Sequence, residues 1–271
     1  MFTKFYKYQS LGNDFIIFDY FNQNSKLILN EIKKINFANF IKKICNRNFG
    51  IGADCVLVII NNKEKQLPEI FIFNANGSSA KICLNGLRCC CLHLFQKYSF
   101  KSIFEIKMFD QITNCKINEK NLEITNIINK GNYIHQKSIH TKKQIFSGHM
   151  IDVGNPHLII FKKTNLEWLK KNAQSITTYN EFEEINIELV WQNQKNNKFN
   201  MLIYERGCGI TLACSSGCAA LTNTLFHLSK IKQNEKINIC MLGGNVLAWI
   251  DKKNKINLRA KAYSVFKGTL Y

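Results

Sequence analysis

The sequence has few residues that interrupt helices and strands: of its 271 residues only 2 are proline and 14 are glycine, whereas 46% are hydrophobic. This composition excludes a disordered or collagen-like chain, because both need much larger shares of proline, glycine or polar residues. No run approaches the roughly 18 consecutive apolar residues of a membrane-spanning helix. The first residues, Met1–Lys7, show no signal-peptide pattern. We therefore expect a soluble, cytoplasmic protein with no membrane partner.

Disulfides are not expected either, although the chain has 11 cysteines. The cytosol keeps thiols reduced, and an odd number of cysteines cannot pair completely. Zinc sites usually show paired Cys-x₂-Cys knuckles with a correctly spaced second pair, and this spacing is missing, so no metal is expected. Packing or catalysis remains, and adjacent thiols such as Cys89, Cys90 and Cys91 are predicted to be small buried side chains.

Acidic residues are scarce relative to basic ones, with 19 Asp and Glu against 37 Lys and Arg and a net charge of +18. Such a balance would suit a nucleic-acid partner. However, only Arg47, Arg88, Arg206 and Arg259 are arginines, and the lysines are spread along the whole chain. Lysine as a surface filler is the interpretation we favour, so no nucleic acid is expected. The few arginines indicate positions that need a planar fork of donors.

A pattern of strand and helix starts occurs twice along the chain. Gly12-Asn13 and Gly154-Asn155 each open an apolar strand, and later Cys83–Gly86 and Cys214–Gly217 each lead into a helix. Because the elements recur in the same order, the sequence predicts two similar domains, each mainly β with one central helix. We place these domains at residues 1–128 and 129–260, with residues 261–271 returning to the first.

The two repeated cysteines stand directly before predicted helices. At a helix start, unsatisfied N–H groups and the helix dipole stabilise a thiolate and also bind carboxylates. This environment can lower a thiol pKa from about 8.5 to roughly 3.5–7.5. Two such cysteines suit inversion of a stereocentre, since one removes a proton while the other delivers a proton to the opposite face. One cysteine then starts as a thiolate and the other as a thiol.

Several motifs, in order along nearly the whole chain, resemble the diaminopimelate epimerase family. They are Lys7–Phe15, Gly50–Asp54, Phe73–Ser78, Cys83–Cys89, Gly154–His157, Tyr204–Gly207 and Thr211–Cys214. The resemblance implies an α+β fold of two pseudo-symmetric domains, each a mixed β-sheet or barrel wrapped around a central helix, with the site in the cleft between them. It also implies a homodimer that needs no cofactor or metal and interconverts LL- and meso-diaminopimelate, for lysine and peptidoglycan biosynthesis.

The resemblance also implies roles for individual residues. Cys83 would be the thiolate that takes the α-proton of the LL isomer, Cys214 the thiol that donates on the other face, and His157 and Glu205 would adjust their proton affinities. The substrate would contact Asn13, Cys55, Asn74, Leu84, Asn85, Asn155, Asn186, Glu205, Arg206, Ser215 and Ser216. Asparagine offers both donors and acceptors to a substrate with an ammonium and a carboxylate at each end, and Arg206 can hold the distal carboxylate bidentately.

Some positions depart from the family pattern. Leu84 stands where glycine is usual, Ser215-Ser216 replaces Gly-Thr or Gly-Ser, Cys55 replaces a glutamine of some relatives, and Ile210 replaces a common glutamate. These departures leave a changed substrate preference open. Two other readings also stay open: a related two-cysteine racemase acting on proline, hydroxyproline or histidine, and a non-catalytic basic binding protein on the same fold.

Overall fold

The computed structural model describes residues 3–141, 144–179, 185–193 and 198–271. From the N-terminus to residue 129 the elements are β1 (Lys4–Ser10), β2 (Asn13–Tyr20), α1 (Ser25–Ile32), α2 (Ile35–Cys45), β3 (Cys55–Asn62), β4 (Leu67–Asn74), β5 (Ser79–Ala80), α3 (Leu84–Tyr98), β6 (Ile103–Met108), β7 (Gln111–Ile117) and β8 (Glu123–Asn129). They continue with β9 (Asn132–His140), β10 (Ile145–Asp152), β11 (Pro156–Phe161), α4 (Leu166–Tyr179), β12 (Asn186–Asn193), β13 (Lys198–Glu205), β14 (Gly209–Thr211), α5 (Ser215–His227), β15 (Ile237–Met241), β16 (Gly244–Ile250), β17 (Lys255–Lys261) and β18 (Tyr263–Thr269). None of these helices is both long and apolar enough to span a bilayer.

The chain divides into two compact units, one of Met1–Asn126 with Ala260–Tyr271 and the other of Ile127–Arg259. The last strand joins the first unit because β18 pairs antiparallel with β1.

In the first unit, β1 and β2 form an antiparallel hairpin closed by Leu11 and Gly12, both with positive φ (58° and 80°). Strand β2 pairs parallel with β3, and a parallel pair needs a long crossover connection, which α1 and α2 supply. Strand β4 then pairs antiparallel with β3 and parallel with β6. Ile28 of α1 and Phe37 and Ile41 of α2 are buried in the core cluster that also contains residues of β2 and β3. The two helices therefore help to close this core.

The second unit repeats these pairings with different residues. Strands β10 and β11 are antiparallel, β11 and β12 are parallel, and α4 makes the crossover. Strand β13 pairs antiparallel with β12 and parallel with β15, as β4 does with β3 and β6. Strand β9 pairs with β10 as β18 pairs with β1. Each strand from β1 to β7 thus has a counterpart from β10 to β16, while α4 alone takes the place of α1 and α2.

Helices α3 and α5 occupy the same place in this repeated order, and both are buried along most of their length. All residues of α3 from Leu84 to Leu94 are buried, including the three adjacent cysteines, and α5 is buried from Gly217 to Leu225. Helices that are buried all round form the centre of a fold rather than its surface. The prediction of one central helix per half is correct but incomplete, because it omitted the crossover helices α1, α2 and α4.

Candidate active site

Cys83 is the N-cap residue of α3 in the first unit. Its backbone is extended (φ −143°, ψ 100°), and its Sγ accepts a hydrogen bond from the Gly86 N–H at 3.4 Å. The Cys83 thiol in turn donates to Oδ1 of Asn13 at 3.8 Å, and Asn85 Nδ2 donates to the same oxygen at 3.5 Å. The cysteine therefore has a donor that suits its thiolate form and an acceptor that suits its thiol form, as proton transfer in two directions requires.

An ionic network behind Asn13 fixes the orientation of its amide. Asn13 Nδ2 donates to Asp54 at 2.7 Å, and Arg47 donates to Asp54 at 2.8 Å and bidentately to Asp14 at 2.8 and 3.0 Å. Lys7 donates to Asp14 at 2.7 Å. Burial alone would raise the pKa of Asp14, but the hydrogen bonds from Arg47 and Lys7 hold it well below its usual range. Sequence reasoning assigned no role to this network, although Arg47 was a signal for it.

Arg88 of α3 is completely buried and orients Asn85. Its Nε donates to Ser10 Oγ at 3.0 Å, one terminal nitrogen donates to Asn126 Oδ1 at 3.3 Å, and the other donates to Asn85 Oδ1. The forked side chain thus serves three acceptors at once, as expected where arginine is retained in a lysine-rich chain. The arrangement also places a buried positive charge in the helix that begins at Cys83.

The remaining site candidates of the first unit lie on β3, β4 and the start of α3. Cys55 and Asn74 face each other across the β3–β4 pair, with Cys55 Sγ 3.8 Å from Asn74 Oδ1, and Asn74 Nδ2 donates to Ser78 at 2.9 Å. Leu84 is buried as the first residue of α3 and has a negative φ. Leucine is therefore accommodated without strain at this position.

In the second unit, Cys214 is the N-cap residue of α5 and mirrors Cys83. Its backbone is extended (φ −126°, ψ 108°), and its Sγ accepts from the Gly217 N–H at 3.3 Å and lies 3.2 Å from Ser216 Oγ. The helix start alone would lower the thiol pKa of Cys214, but the surroundings of this thiol act in the opposite direction. Burial raises its pKa well above the usual value, and the nearby carboxylates of Glu205 and Glu188 add to the shift.

Glu205, at the end of β13, belongs to this group of side chains around Cys214. It accepts a hydrogen bond from Thr211 Oγ1 and interacts with the Cys214 thiol, and burial raises the pKa of its carboxyl. This carboxyl therefore gains a proton more readily than an exposed glutamate does.

His157 and Glu188 form a buried pair next to Cys214. Both side chains are fully buried, and His157 Nδ1 lies 2.6 Å from Glu188 Oε1. One donor atom each from His157, Glu188 and Cys214 lie within 4.8 Å of one another, a donor set that a metal ion can also use. The 2.6 Å separation is that of a hydrogen bond, since two ligands of one tetrahedral zinc ion at about 2.0–2.2 Å would stand farther apart. Sequence reasoning missed Glu188.

The other candidates of the second unit lie around β11 and β12. Asn186 opens β12 opposite His157; its Nδ2 donates to the Pro156 carbonyl at 3.3 Å, and its Oδ1 accepts from the Arg206 N–H at 3.1 Å. Asn186 therefore connects the start of β12 to the start of β11 and to the residue that follows β13. Asn155 lies in the turn before β11, Ser215 is the first residue of α5, and the Arg206 residue is exposed.

Most of the remaining cysteines pack in the interior, as predicted. Cys89, Cys90 and Cys91 are completely buried, and burial raises the pKa of each thiol. Burial likewise raises the pKa of Cys45 to about 11. These four thiols therefore act as small apolar side chains in the interior.

The chain is similar to known proteins over nearly its full length. The family model described as diaminopimelate epimerase matches residues 5–134 and 149–264. A diaminopimelate epimerase from Prochlorococcus marinus (strain NATL2A) is 31% identical over 288 residues, which cover 99% of each chain.

Two solved structures share the architecture. A hydroxyproline epimerase from Agrobacterium vitis superposes with a TM-score of 0.74 at 7% identity, covering 99% of this chain and 92% of that one. A phenazine biosynthesis protein of the PhzF family from Enterococcus faecalis gives a TM-score of 0.70 at 11% identity, covering all of both chains. These structures confirm the predicted α+β fold class and, at such low identity, the fold alone. Because the family model and the curated relative both match across nearly its full length, the chain belongs to the diaminopimelate epimerase family.

Proposed function

We propose that this protein interconverts LL- and meso-diaminopimelate by two-base proton transfer at one α-carbon. The observation that carries the proposal is the pair of cysteines at equivalent helix starts, Cys83 before α3 and Cys214 before α5, in a chain of this family. Both proton-transfer groups come from the chain itself, so the reaction as proposed uses no cofactor and no metal.

The proposed proton transfers follow from the surroundings of each thiol. Cys83, as a thiolate supported by the Gly86 N–H, removes the α-proton of the LL isomer. Cys214, whose pKa is raised by burial and neighbouring carboxylates, enters as the thiol and donates its proton to the opposite face of the same carbon. After one turnover Cys83 carries the proton and Cys214 is the thiolate, which is the state required for the reverse reaction.

The substrate contacts are proposed from the chemistry of the site residues. The N–H groups in the first turns of α3 and α5, near Leu84-Asn85 and Ser215-Ser216, suit the carboxylate at the reacting centre. The side chains proposed to bind the rest of the substrate are Asn13, Cys55, Asn74, Asn155, Asn186, Glu205 and Arg206. Glu205 suits an ammonium, and the Arg206 fork suits the distal carboxylate. His157 and Glu205 are proposed to adjust the proton affinities of the cysteines.

We further infer that residues 1–128, joined by 261–271, and residues 129–260 are the two halves of the enzyme. A homodimer is supported by exposed apolar side chains on β18, namely Tyr263, Val265 and Phe266, because such a row favours burial against a partner. The proposal includes cytoplasmic lysine and peptidoglycan biosynthesis, and neither nucleic acid nor membrane as a partner.

Deuterium exchange tests the proposal. The reduced protein is incubated with LL-diaminopimelate in D₂O, and the product is analysed by NMR and mass spectrometry. We expect the meso isomer with deuterium at the inverted α-carbon. Cys83→Ala and Cys214→Ala should each lower epimerisation by at least about 100-fold, whereas Cys240→Ala, a half-buried thiol on β15, should keep it.

Three results would contradict the proposal. Full epimerisation by either of the first two variants rules out the two-base scheme. Turnover of proline, hydroxyproline or histidine in place of diaminopimelate assigns the protein to another racemase. Salt-sensitive binding of nucleic acid without any exchange identifies a binding protein.

A further inference from the structure

The strands and helices around Cys83 and Cys214 are arranged in the same way, so equivalent positions of the two units can be compared residue by residue. The parallel strands pair Phe15 with Cys55 in the first unit and His157 with Asn186 in the second. His157 therefore occupies the position of Phe15. Two residues after Cys55 and Asn186 come Leu57 and Glu188, and Glu188 precedes Cys214 by as many residues as Leu57 precedes Cys83.

Packing against the helices supports this equivalence. A Cβ on Gly86, in the first turn of α3, would lie 3.1 Å from the Phe15 ring and 3.2 Å from Leu57. A Cβ on Gly217, at the same position of α5, would lie 2.6 Å from Glu188 Oε1. The first turn of each helix thus packs on the same strand position, which is apolar in the first unit and a carboxylate in the second.

Glu188 is poorly satisfied for a buried carboxylate. Its Oε1 is bound by His157 Nδ1 at 2.6 Å, while Glu188 Oε2 and His157 Nε2 are both buried and have no hydrogen-bond partner among the residues that the structure describes. A leucine at this place, as in the first unit, would avoid the cost of burying a charge. The retention of a carboxylate here indicates that its charge and its hydrogen bond have a use.

The ionisable groups around Glu188 come from three neighbouring elements. They are His157 on β11, Glu205 at the end of β13, and Cys214 at the start of α5. At the position equivalent to Glu205, nine residues before its cysteine, the first unit has the neutral Asn74. At these two positions, therefore, a negative group stands only on the side of Cys214.

We propose that Glu188 is a positioning residue for the reaction: its carboxylate fixes the His157 ring and places a buried negative charge beside Cys214, so that Cys214 enters as the proton donor. A carboxylate only accepts hydrogen bonds, so His157 carries its proton on Nδ1 and is held in one orientation. The negative charge disfavours a second anion close by, which keeps the thiol protonated. This inference rests on the proposed function of Cys214.

The ring of His157 provides a test that needs no substrate. Protein labelled with ¹⁵N-histidine is examined by NMR, and the His157 signals are assigned with His157→Gln. We expect a proton on Nδ1, strongly deshielded by the short hydrogen bond, that moves upfield in Glu188→Gln and disappears in Glu188→Leu. Glu167→Gln, the same change at an exposed residue of α4, should leave it unchanged. A wild-type His157 protonated on Nε2 alone would overturn the proposal.

Kinetics test the role of the charge. Because Cys214 must be protonated in the LL-to-meso direction, kcat falls as pH rises through the pKa of this thiol. Glu188→Gln should lower kcat by about 10–100-fold and leave KM nearly unchanged. It should also move the basic limb of the pH profile, the fall of kcat at high pH, to lower pH, because the negative charge next to the thiol is lost. Glu188→Asp keeps the charge and shortens the reach, so it should lower kcat while the limb stays near its wild-type position.

The outcomes separate this inference from the proposed function. A Glu188→Gln variant with a lower kcat and an unmoved basic limb would reduce Glu188 to a structural residue and overturn the proposal. If the wild-type protein fails to epimerise diaminopimelate, the proposed function fails. The His157 signals still report whether Glu188 orients the ring.

Discussion

Replacing the buried Arg88 by methionine is expected to destabilise the first unit by about 3 kcal/mol. The guanidinium donates to Ser10, Asn126 and Asn85, and all three acceptors lie in the interior. Methionine fills a similar volume but leaves these oxygens without their donor, at a cost of about 1 kcal/mol or more for each. The hydrogen bonds themselves are stronger than this, but removing the arginine also removes the cost of burying its charge.

Urea unfolding followed by circular dichroism measures this loss as a shift of the transition midpoint. Arg88→Lys should fall between methionine and wild type, because an ammonium is a compact donor that cannot reproduce the fork. Lys26→Met, at an exposed position of α1, should change stability by less than about 0.5 kcal/mol. A loss below about 1 kcal/mol in Arg88→Met would refute the reasoning that this arginine holds the polar groups behind Cys83.

Three further predictions use the same contacts. Gly217→Ala should lower the free energy of unfolding, measured by thermal denaturation, by about 1–3 kcal/mol, because the new Cβ would lie 2.6 Å from Glu188 Oε1. Gly86→Ala should lower it less, because the contacts of its Cβ begin at 3.1 Å. Equal losses in the two variants would contradict this. The pKa of Asp14 is depressed in the folded state, so the ionised carboxylate stabilises the fold fully above pH about 4, and this stabilisation is lost as pH falls below that value. Asp14→Asn should abolish this part of the acid unfolding transition. An unchanged acid transition in the variant would contradict the prediction. Arg206→Lys should raise KM about tenfold, by the loss of one charge-assisted hydrogen bond of about 1.5 kcal/mol; an unchanged KM removes its proposed role.

Features that depend on local sequence were predictable. The Gly-Asn turns before β2 and β11 and the cysteines before α3 and α5 all involve residues close together in the chain, where turn and capping preferences act. The burial of Cys89, Cys90 and Cys91 also followed from their place in an apolar helix. The crossover helices α1, α2 and α4 were missed because nothing in the motifs required β2 and β3, or β11 and β12, to pair in parallel.

Features that depend on contacts between distant segments were not predictable in this way. Glu188 lies 31 positions from His157, and within β12 its neighbours are apolar residues typical of any buried strand. A helix start alone would lower the pKa of Cys214. Burial and two carboxylates from other strands outweigh the helix. Comparison of the repeats would have found Glu188, because a charge stands where the first repeat has Leu57.

Because the two units repeat the same arrangement, a few buried charges can decide the difference in proton affinity between Cys83 and Cys214. Two cysteines at identical helix starts with identical surroundings would have equal proton affinities, and neither would be favoured as the base. Arg88 stands in α3 where α5 has Ala219, and Glu188 and Glu205 stand where the first unit has Leu57 and Asn74. The two carboxylates favour a thiol at Cys214. This difference between the two repeated sites would supply the unequal protonation that the proposed two-base inversion requires at its start.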